Sequence, residues 1–436
     1  MFSAHRGRLA AATAGAALLA LTAACSGAGS TGTASNEASG GAPSGPITVL
    51  TNRTDLVDTT FQEYKKTFEA KYPDVKVTFE AITDYEGEVK TRMNTKDYGD
   101  VLLIPASVAP ADFPDFFEPL GTVDDLSKKY RFVSEGATKG TVYGLATFGN
   151  ANGIVYNKKV FAAAGITALP KTTTEFIADL TAIKDKTDAV PLYSNYKDGW
   201  PLNWPENLMG AYTADPEALV KLSKTKAPWT KGQEKYISDS LLFDVAAAGL
   251  IEADPTTTNW ENSKNLIATG KIGVMVLGSW AVPQMQEAAT KAGGDAADIG
   301  FMAAPTQVDG KFYSPVGGDF KLAININSAH KAAARAWIDW LVDDSGYYEV
   351  AGALPTVKDQ PAPAGLKEFE ATGVQYVEMT PSPTLTAIDN AAEIGLTQPD
   401  YYRTLIDAAR GASGQTKQQV FDGLNSKWAT AFAQVG

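Results

Sequence analysis

The chain has 436 residues, 44% of them hydrophobic and 20% charged, and its 38 Lys and Arg against 50 Asp and Glu give a net charge of −12. That acidity argues against nucleic acid as a partner. One cysteine and two histidines, Cys25, His5 and His330, exclude a disulfide and a thiolate zinc cluster, and argue against a Ser-His-Asp triad or a multi-histidine metal centre. No metal and no cofactor is expected.

His5, Arg6 and Arg8 precede an uncharged stretch over residues 9–24. This is the basic-then-apolar layout of a secretory signal peptide, and it is too short for a bilayer span, which needs about 20 apolar residues. The run ends Leu21-Thr22-Ala23-Ala24-Cys25. A thiol after small residues resembles the lipobox of bacterial lipoproteins, whose cysteine is acylated and becomes the first mature residue; Thr22 departs from the usual aliphatic residue. A plain cleaved signal peptide with an incidental cysteine is the competing reading. Residues 1–24 are thus read as a lipoprotein signal peptide, with Cys25 as the lipidation site. Residues 25–46, built almost wholly of Gly, Ala, Ser, Thr and Pro, read as a flexible linker, with a root-mean-square span of roughly 25 Å. Loss of Arg6 and Arg8 with the signal peptide leaves 36 basic against 50 acidic residues, a net charge of −14. Gly27, Gly29 and Gly32 match G-x-G-x-x-G without a preceding strand, so the match carries nothing.

Residues 47–50 predict a short strand, followed by a helix whose Phe61, Tyr64, Phe68 and Tyr72 fall on one face. Pro73-Asp74 ends it, and Val75, Val77 and Phe79 alternate as a second strand. A second amphipathic stretch then leads to the apolar run Val101-Leu102-Leu103-Ile104, closed by Pro105. This βαβα order predicts a parallel sheet covered on both faces. Residues 140–146 and 154–156 read as further strands. Thr172 and Glu175 have capping-box spacing ahead of a helix with Phe176, Ile177, Leu180 and Ile183 on one face. Residues 272–277 and 322–326 predict buried strands, and His330 reads as a solvated first-turn residue of the alanine-rich helix that follows. From Pro355 the pattern is mostly helical, closing with Val420, Leu424, Trp428 and Phe432.

Several segments together resemble the extracellular solute-binding proteins of ABC importers, of the sugar- and oligosaccharide-binding type that includes maltose-binding protein. They are Phe68-Glu69-Ala70-Lys71-Tyr72-Pro73-Asp74-Val75, Gly99-Asp100-Val101, Val142-Tyr143-Gly144-Leu145, Tyr156-Asn157-Lys158-Lys159-Val160-Phe161 with Ala164-Gly165-Ile166, Pro170-Lys171-Thr172, Gly270-Lys271-Ile272-Gly273-Val274-Met275 with Gly278-Ser279-Trp280, and Gly317-Gly318 before Leu322-Ala323-Ile324. The resemblance implies an α/β, two-lobed periplasmic-binding-protein-like fold of type II, with the ligand cleft between lobes joined by several chain crossings. It places the first lobe at residues 47–148, the second at 149–316, the return to the first at 317–358 and the C-terminal helices of the second at 359–436. Crossings are expected near residues 146–152, near 314–320 and after Pro355. It also implies a monomer, a carbohydrate ligand captured by lobe closure, an ABC permease as partner, and a place at the outer face of a bacterial cell membrane.

A sugar presents hydroxyls at its rim and C–H groups on its faces, so its site needs planar aromatics and bidentate polar groups. By resemblance Trp280, in Gly-Ser-Trp after a strand, stacks on a sugar ring. Asn52, Arg53 and Asp55 follow the first strand, at the carboxyl edge where open parallel sheets place ligands, and Tyr85 follows the second. Pro105-Ala106-Ser107 stands where maltose-type relatives carry a tryptophan and charged contacts; this argues against maltodextrin and leaves Ser107 as a candidate. Asn150 and Asn152 at the first crossing and Gly318 and Asp319 at the second complete the expected floor, with the glycines serving backbone geometry. Trp200 and Trp204 are candidates to wall the second lobe's side, and Tyr402 to supply a late aromatic. For each of these the alternative is packing within its own lobe or a solvated turn. Two other functions stay open: the same fold binding a polyamine, peptide or anion, and an anchored glycosidase, for which 50 acids supply possible carboxylate pairs.

Overall fold

The computed structural model describes residues 41–435 apart from Asp55, Asp84 and Ala106. The signal peptide and Cys25 lie outside the described residues. The expected 25–46 linker ends early: Gly45 already opens the first strand, Gly45–Thr51, its amide donating to the Asp74 carbonyl at 2.8 Å.

The first sheet has the order Val75–Ala81, Gly45–Thr51, Val101–Leu103, Lys321–Ile324, Leu145–Ala146. The first three strands run parallel, with Ile47 opposite Val77 and Val49 opposite Val101. The last two are antiparallel additions, Ile324 opposite Val101 and Lys321 opposite Ala146. The aromatic face predicted for the first helix, Thr60–Lys71, buries Phe61 and Phe68. Phe68 meets Trp337 edge-on at 5.0 Å, from the helix Lys331–Asp343 on the same sheet. Burying one such side chain contributes about 1.5–3 kcal/mol. The predicted 140–146 strand is two short ones, Thr141–Val142 and Leu145–Ala146, because Tyr143 and Gly144 between them both donate their amides to the Gly136 carbonyl, at 2.8 and 3.2 Å, and the chain passes there from one sheet to another. Ahead of the first of these, Lys139 and Gly140 take positive φ (50° and 80°). They form the two-residue hairpin turn that pairs Thr138 with Thr141 in a separate small sheet.

The second sheet is mixed, in the order Gln307–Val308, Lys311–Gly318, Gly149–Asn157, Ile272–Gly278, Val190–Leu192. The strand expected at 154–156 is nine residues long and begins at Gly149. Its start pairs with Val316, Gly317 and Gly318, and its end with Ile299–Met302. Gly317 and Gly318, expected to open the return to the first lobe, therefore belong to the second sheet, because the Lys311–Gly318 strand keeps its pairing to its last residue. Over this sheet pack the helix Thr173–Lys186, capped by the Thr172 hydroxyl on the Glu175 amide at 3.0 Å, and the C-terminal helices. Val420, Phe421 and Trp428 of Lys417–Val435 are buried among them.

The two cores differ in kind. The first lobe's interior is apolar and aromatic. The second holds Lys235, fully buried, 2.9 Å from Glu206 and 3.2 Å from Asp239, with its ammonium over the rings of Tyr401 and Tyr402. Asp239 also accepts from the Trp229 indole at 2.6 Å and from the Tyr401 hydroxyl. Burial disfavours the ammonium, but Asp239 and Glu206 more than offset it, so Lys235 stays charged with its pKa well above the ordinary lysine value.

Candidate functional site

Three chain crossings lie side by side between the sheets. At the first, Thr147 donates its amide to the Phe320 carbonyl at 2.9 Å; at the second, Asp319 donates to the Phe148 carbonyl at 2.8 Å. At the third, Leu354 and Gly149 exchange both backbone hydrogen bonds, at 2.7 and 2.8 Å. The first two crossings are therefore at residues 147–148 and 319–320, within the expected spans but only two residues long. Glu135 grips the second, accepting from the Gly318 amide at 2.9 Å and from Lys321 at 2.7 Å. Phe132 is wedged against the crossings in the left-handed region, φ 63°. A Cβ on Gly149 would lie 2.3 Å from its ring, and one on Gly318 would lie 2.9 Å from its Cβ. Gly318 thus serves close backbone packing.

A cleft of about 590 Å3 opens above these crossings. The first lobe contributes Thr51, Asn52 and Arg53 at the carboxyl end of its first strand, apolar side chains such as Phe79 and Leu103, and Tyr347 and Val350. The second lobe contributes Trp280, Pro283, Gln284 and Glu287; the crossings contribute Thr147, Phe148, Asp319 and Phe320. Arg53 reaches Tyr347 with its Nη1 3.4 Å from the phenol oxygen. Asp319 accepts from the Phe320 amide at 2.8 Å and from Asn150 Nδ2 at 3.1 Å, which fixes its carboxylate at the cleft floor. The described lining carries three charged residues, Arg53, Asp319 and Glu287. Glu287 bonds Lys291 at 2.6 Å, a contact that lowers its pKa. The cleft is close to neutral and rich in apolar and aromatic surface, a composition suited to a polar, uncharged solute with apolar faces.

The structure brings Asn52, Arg53, Trp280, Asp319 and, through Asp319, Asn150 to one place. Asp55 lies outside the described residues. Asn152 sits on the Gly149–Asn157 strand, its carbonyl held by the Ser314 hydroxyl at 2.8 Å. Ser107 is exposed on the loop between Pro105 and Val108, which line a smaller cavity on the other side of Asp319 and Phe320.

Three expected residues are turned inward. Tyr85 is buried, its hydroxyl accepting from the Leu103 amide at 2.7 Å and donating to the Leu103 carbonyl, and its ring packs at 6.5 Å on Phe320. It supports the wall from behind, and burial raises its pKa. Trp204 is buried in the second lobe's core. Tyr402 is fully buried, its hydroxyl bound to the Leu396 carbonyl. Both belong to the packing around Lys235 and the C-terminal helices, where large aromatic area is worth more inside than at an open cleft.

Trp200 is 43% exposed and joins Trp280 from the side: ring centroids are 4.9 Å apart for Trp200 and Trp260, and 5.6 Å for each of these with Trp280. Sequence reasoning missed Trp260, the first residue of the helix Trp260–Ala268, which reads as an ordinary amphipathic helix behind its Asn259 cap. It also missed Gln284 and Tyr347. Gln284 was findable, since it stands four residues after Trp280 and so shares its helical face.

The profile of the bacterial extracellular solute-binding protein family matches residues 53–348. A solved ABC-transporter binding protein from Bifidobacterium animalis subsp. lactis, in complex with mannobiose, is 34% identical, with a TM-score of 0.77 over 90% of this chain and 95% of that one. A manno-oligosaccharide-specific solute-binding protein from the same subspecies, in complex with mannotriose, is 33% identical with a TM-score of 0.78 over the same shares. The multiple sugar-binding protein of Streptococcus mutans is 25% identical over 325 residues, 70% of this chain and 74% of its own. These relatives are binding proteins rather than enzymes, and the two-lobed α/β fold is theirs. This chain belongs to the bacterial extracellular solute-binding protein family.

Proposed function

We propose that this protein captures a carbohydrate, of oligosaccharide length, between its two lobes and delivers it unchanged to the permease of an ABC importer. The observation that carries this reading is the pairing of unlike walls across one cleft. Asn52, Arg53 and Asp319 offer hydrogen bonds for hydroxyls from one side and the floor, while Trp280 offers an aromatic face from the other. The manno-oligosaccharide complexes of the two Bifidobacterium relatives support the same class of ligand. Near-neutral charge in the cleft favours a neutral sugar over a polyamine or an anion. Closure about the three crossings would bring the walls together on the ligand, and the closed form is what a permease distinguishes. Acylation of Cys25, with the residues before Gly45 as a leash, would hold the domain on the outer face of the membrane beside that permease. The protein acts in this reading as a monomer and catalyses no chemical step.

Thermal melting against a panel of manno-, chito- and malto-oligosaccharides together with spermidine tests the assignment. A sugar of the panel should raise the melting temperature in proportion to RT ln(1 + [L]/Kd) and be recovered intact. A shift with spermidine alone, or new reducing ends in the recovered sugar, would overturn it.

A further inference from the structure

We infer that Trp200 and Trp260 extend the cleft into an outer subsite for a further ring of the carbohydrate chain, with Arg403 as the residue that positions it. This inference rests on the carbohydrate reading above. Trp280 lines the cavity, Trp200 and Trp260 pack on Trp280 outside that lining, and Trp200 carries the aromatic cluster to the exposed surface. Trp200, Val350 and Val435 are the large hydrophobic residues exposed among those described. Two of these mark the same cleft: Val350 lines its first-lobe rim and Trp200 continues its second-lobe wall. An exposed indole seated on two half-buried ones beside a binding cleft is the kind of apolar surface that marks an interaction site.

Trp200 is held rigidly in that exposed position. Arg403 donates from Nε to the Tyr196 carbonyl at 3.0 Å and from Nη2 to the Lys197 carbonyl at 2.9 Å, with its guanidinium over the Tyr196 ring at 5.6 Å. Lys197 is tied in turn to the Thr258 hydroxyl at 2.8 Å, two residues before Trp260. Gly199 takes φ 82°, and a Cβ there would lie 2.4 Å from Arg403 Nη2, so this turn closes directly on the guanidinium. The two loops that present Trp200 and Trp260 are thus one braced unit. Bracing limits the ordering cost of binding, as an aromatic platform for a sugar face requires. The segment Asp400-Tyr401-Tyr402-Arg403 serves the site through its arginine, while its second tyrosine stays in the core.

Calorimetric titration of the intact protein with mannose, mannobiose and mannotriose, and with N-acetylglucosamine, diacetylchitobiose and triacetylchitotriose, tests the subsite. Trp200→Ala should weaken the longest bound member of a series about 2- to 13-fold, the range of one aromatic contact, and the shortest bound member less than 2-fold. Arg403→Gln should weaken binding with the same length dependence, and Arg403→Lys should restore part of it. Acrylamide quenching reads the same contact independently: the trisaccharide should shield more tryptophan fluorescence in the wild type than the shortest bound sugar does, and that extra protection should vanish in Trp200→Phe. Equal losses at all lengths, or none at any, would overturn the outer subsite. A wild-type protein that binds neither of these series nor the malto-oligosaccharides removes the carbohydrate reading itself, an outcome distinct from a wild type that binds both lengths with Trp200→Ala unchanged.

Discussion

The two walls of the cleft are built by different means. The first lobe's polar contacts, Thr51, Asn52 and Arg53, are consecutive residues at the end of one parallel strand, so a single local feature places all three. The second lobe's aromatic wall is assembled from a loop, a helix start and a strand end, with Trp200, Trp260 and Trp280 spread over 80 residues of chain. The difference teaches that hydroxyl recognition here is a property of sheet topology, whereas the stacking surface depends on the tertiary packing of the second lobe. That lobe accordingly carries the buried ion network, and its loops are braced by Arg403.

The largest effect tests that dependence. Lys235→Ala leaves Asp239 and Glu206 buried without their cation, and should cost about 3–5 kcal/mol in denaturant unfolding. A loss below about 1 kcal/mol would mean that the second lobe's core does not rest on this network. Next, Trp280→Ala should weaken sugar binding by about 2 kcal/mol or more, roughly 30-fold, with a normal melting temperature in the absence of ligand. Arg53→Ala on the opposite wall should cost about 1.5–3 kcal/mol of binding, the worth of hydrogen bonds made by a charged group. Smallest of all, Asp319→Asn keeps the shape at the cleft floor and removes its charge. Affinity for a neutral sugar should change by less than about 1 kcal/mol, whereas a cationic ligand would lose much more; calorimetry at low ionic strength separates these outcomes.

The sequence reveals the first wall more readily than the second for a physical reason. Asn52 and Arg53 are legible because a βαβ pattern fixes which end of a strand faces the cleft. Trp280 is legible through its Gly-Ser-Trp setting. Trp260 is silent, because an N-terminal helix residue behind an asparagine cap looks the same whether its indole faces a core or a cleft. Tyr402 and Trp204 misdirect for the complementary reason: the resemblance places a late aromatic at the site and a loop rich in Pro and Gly suggests exposure for Trp204, and only the path of the C-terminal helices shows that the core takes both. The strand expected at 154–156 grew to Gly149–Asn157 because pairing with Lys311–Gly318, distant in sequence, extends it into the crossing.

The central claim is that both walls hold one ligand. Isothermal titration of the wild type, Trp280→Ala and Arg53→Ala with the tightest-binding sugar of the panel tests it directly. Both variants should bind more weakly than the wild type while melting as it does without ligand. If either variant kept full affinity, the sugar would be held on a single lobe and the account of capture between unlike walls would be contradicted.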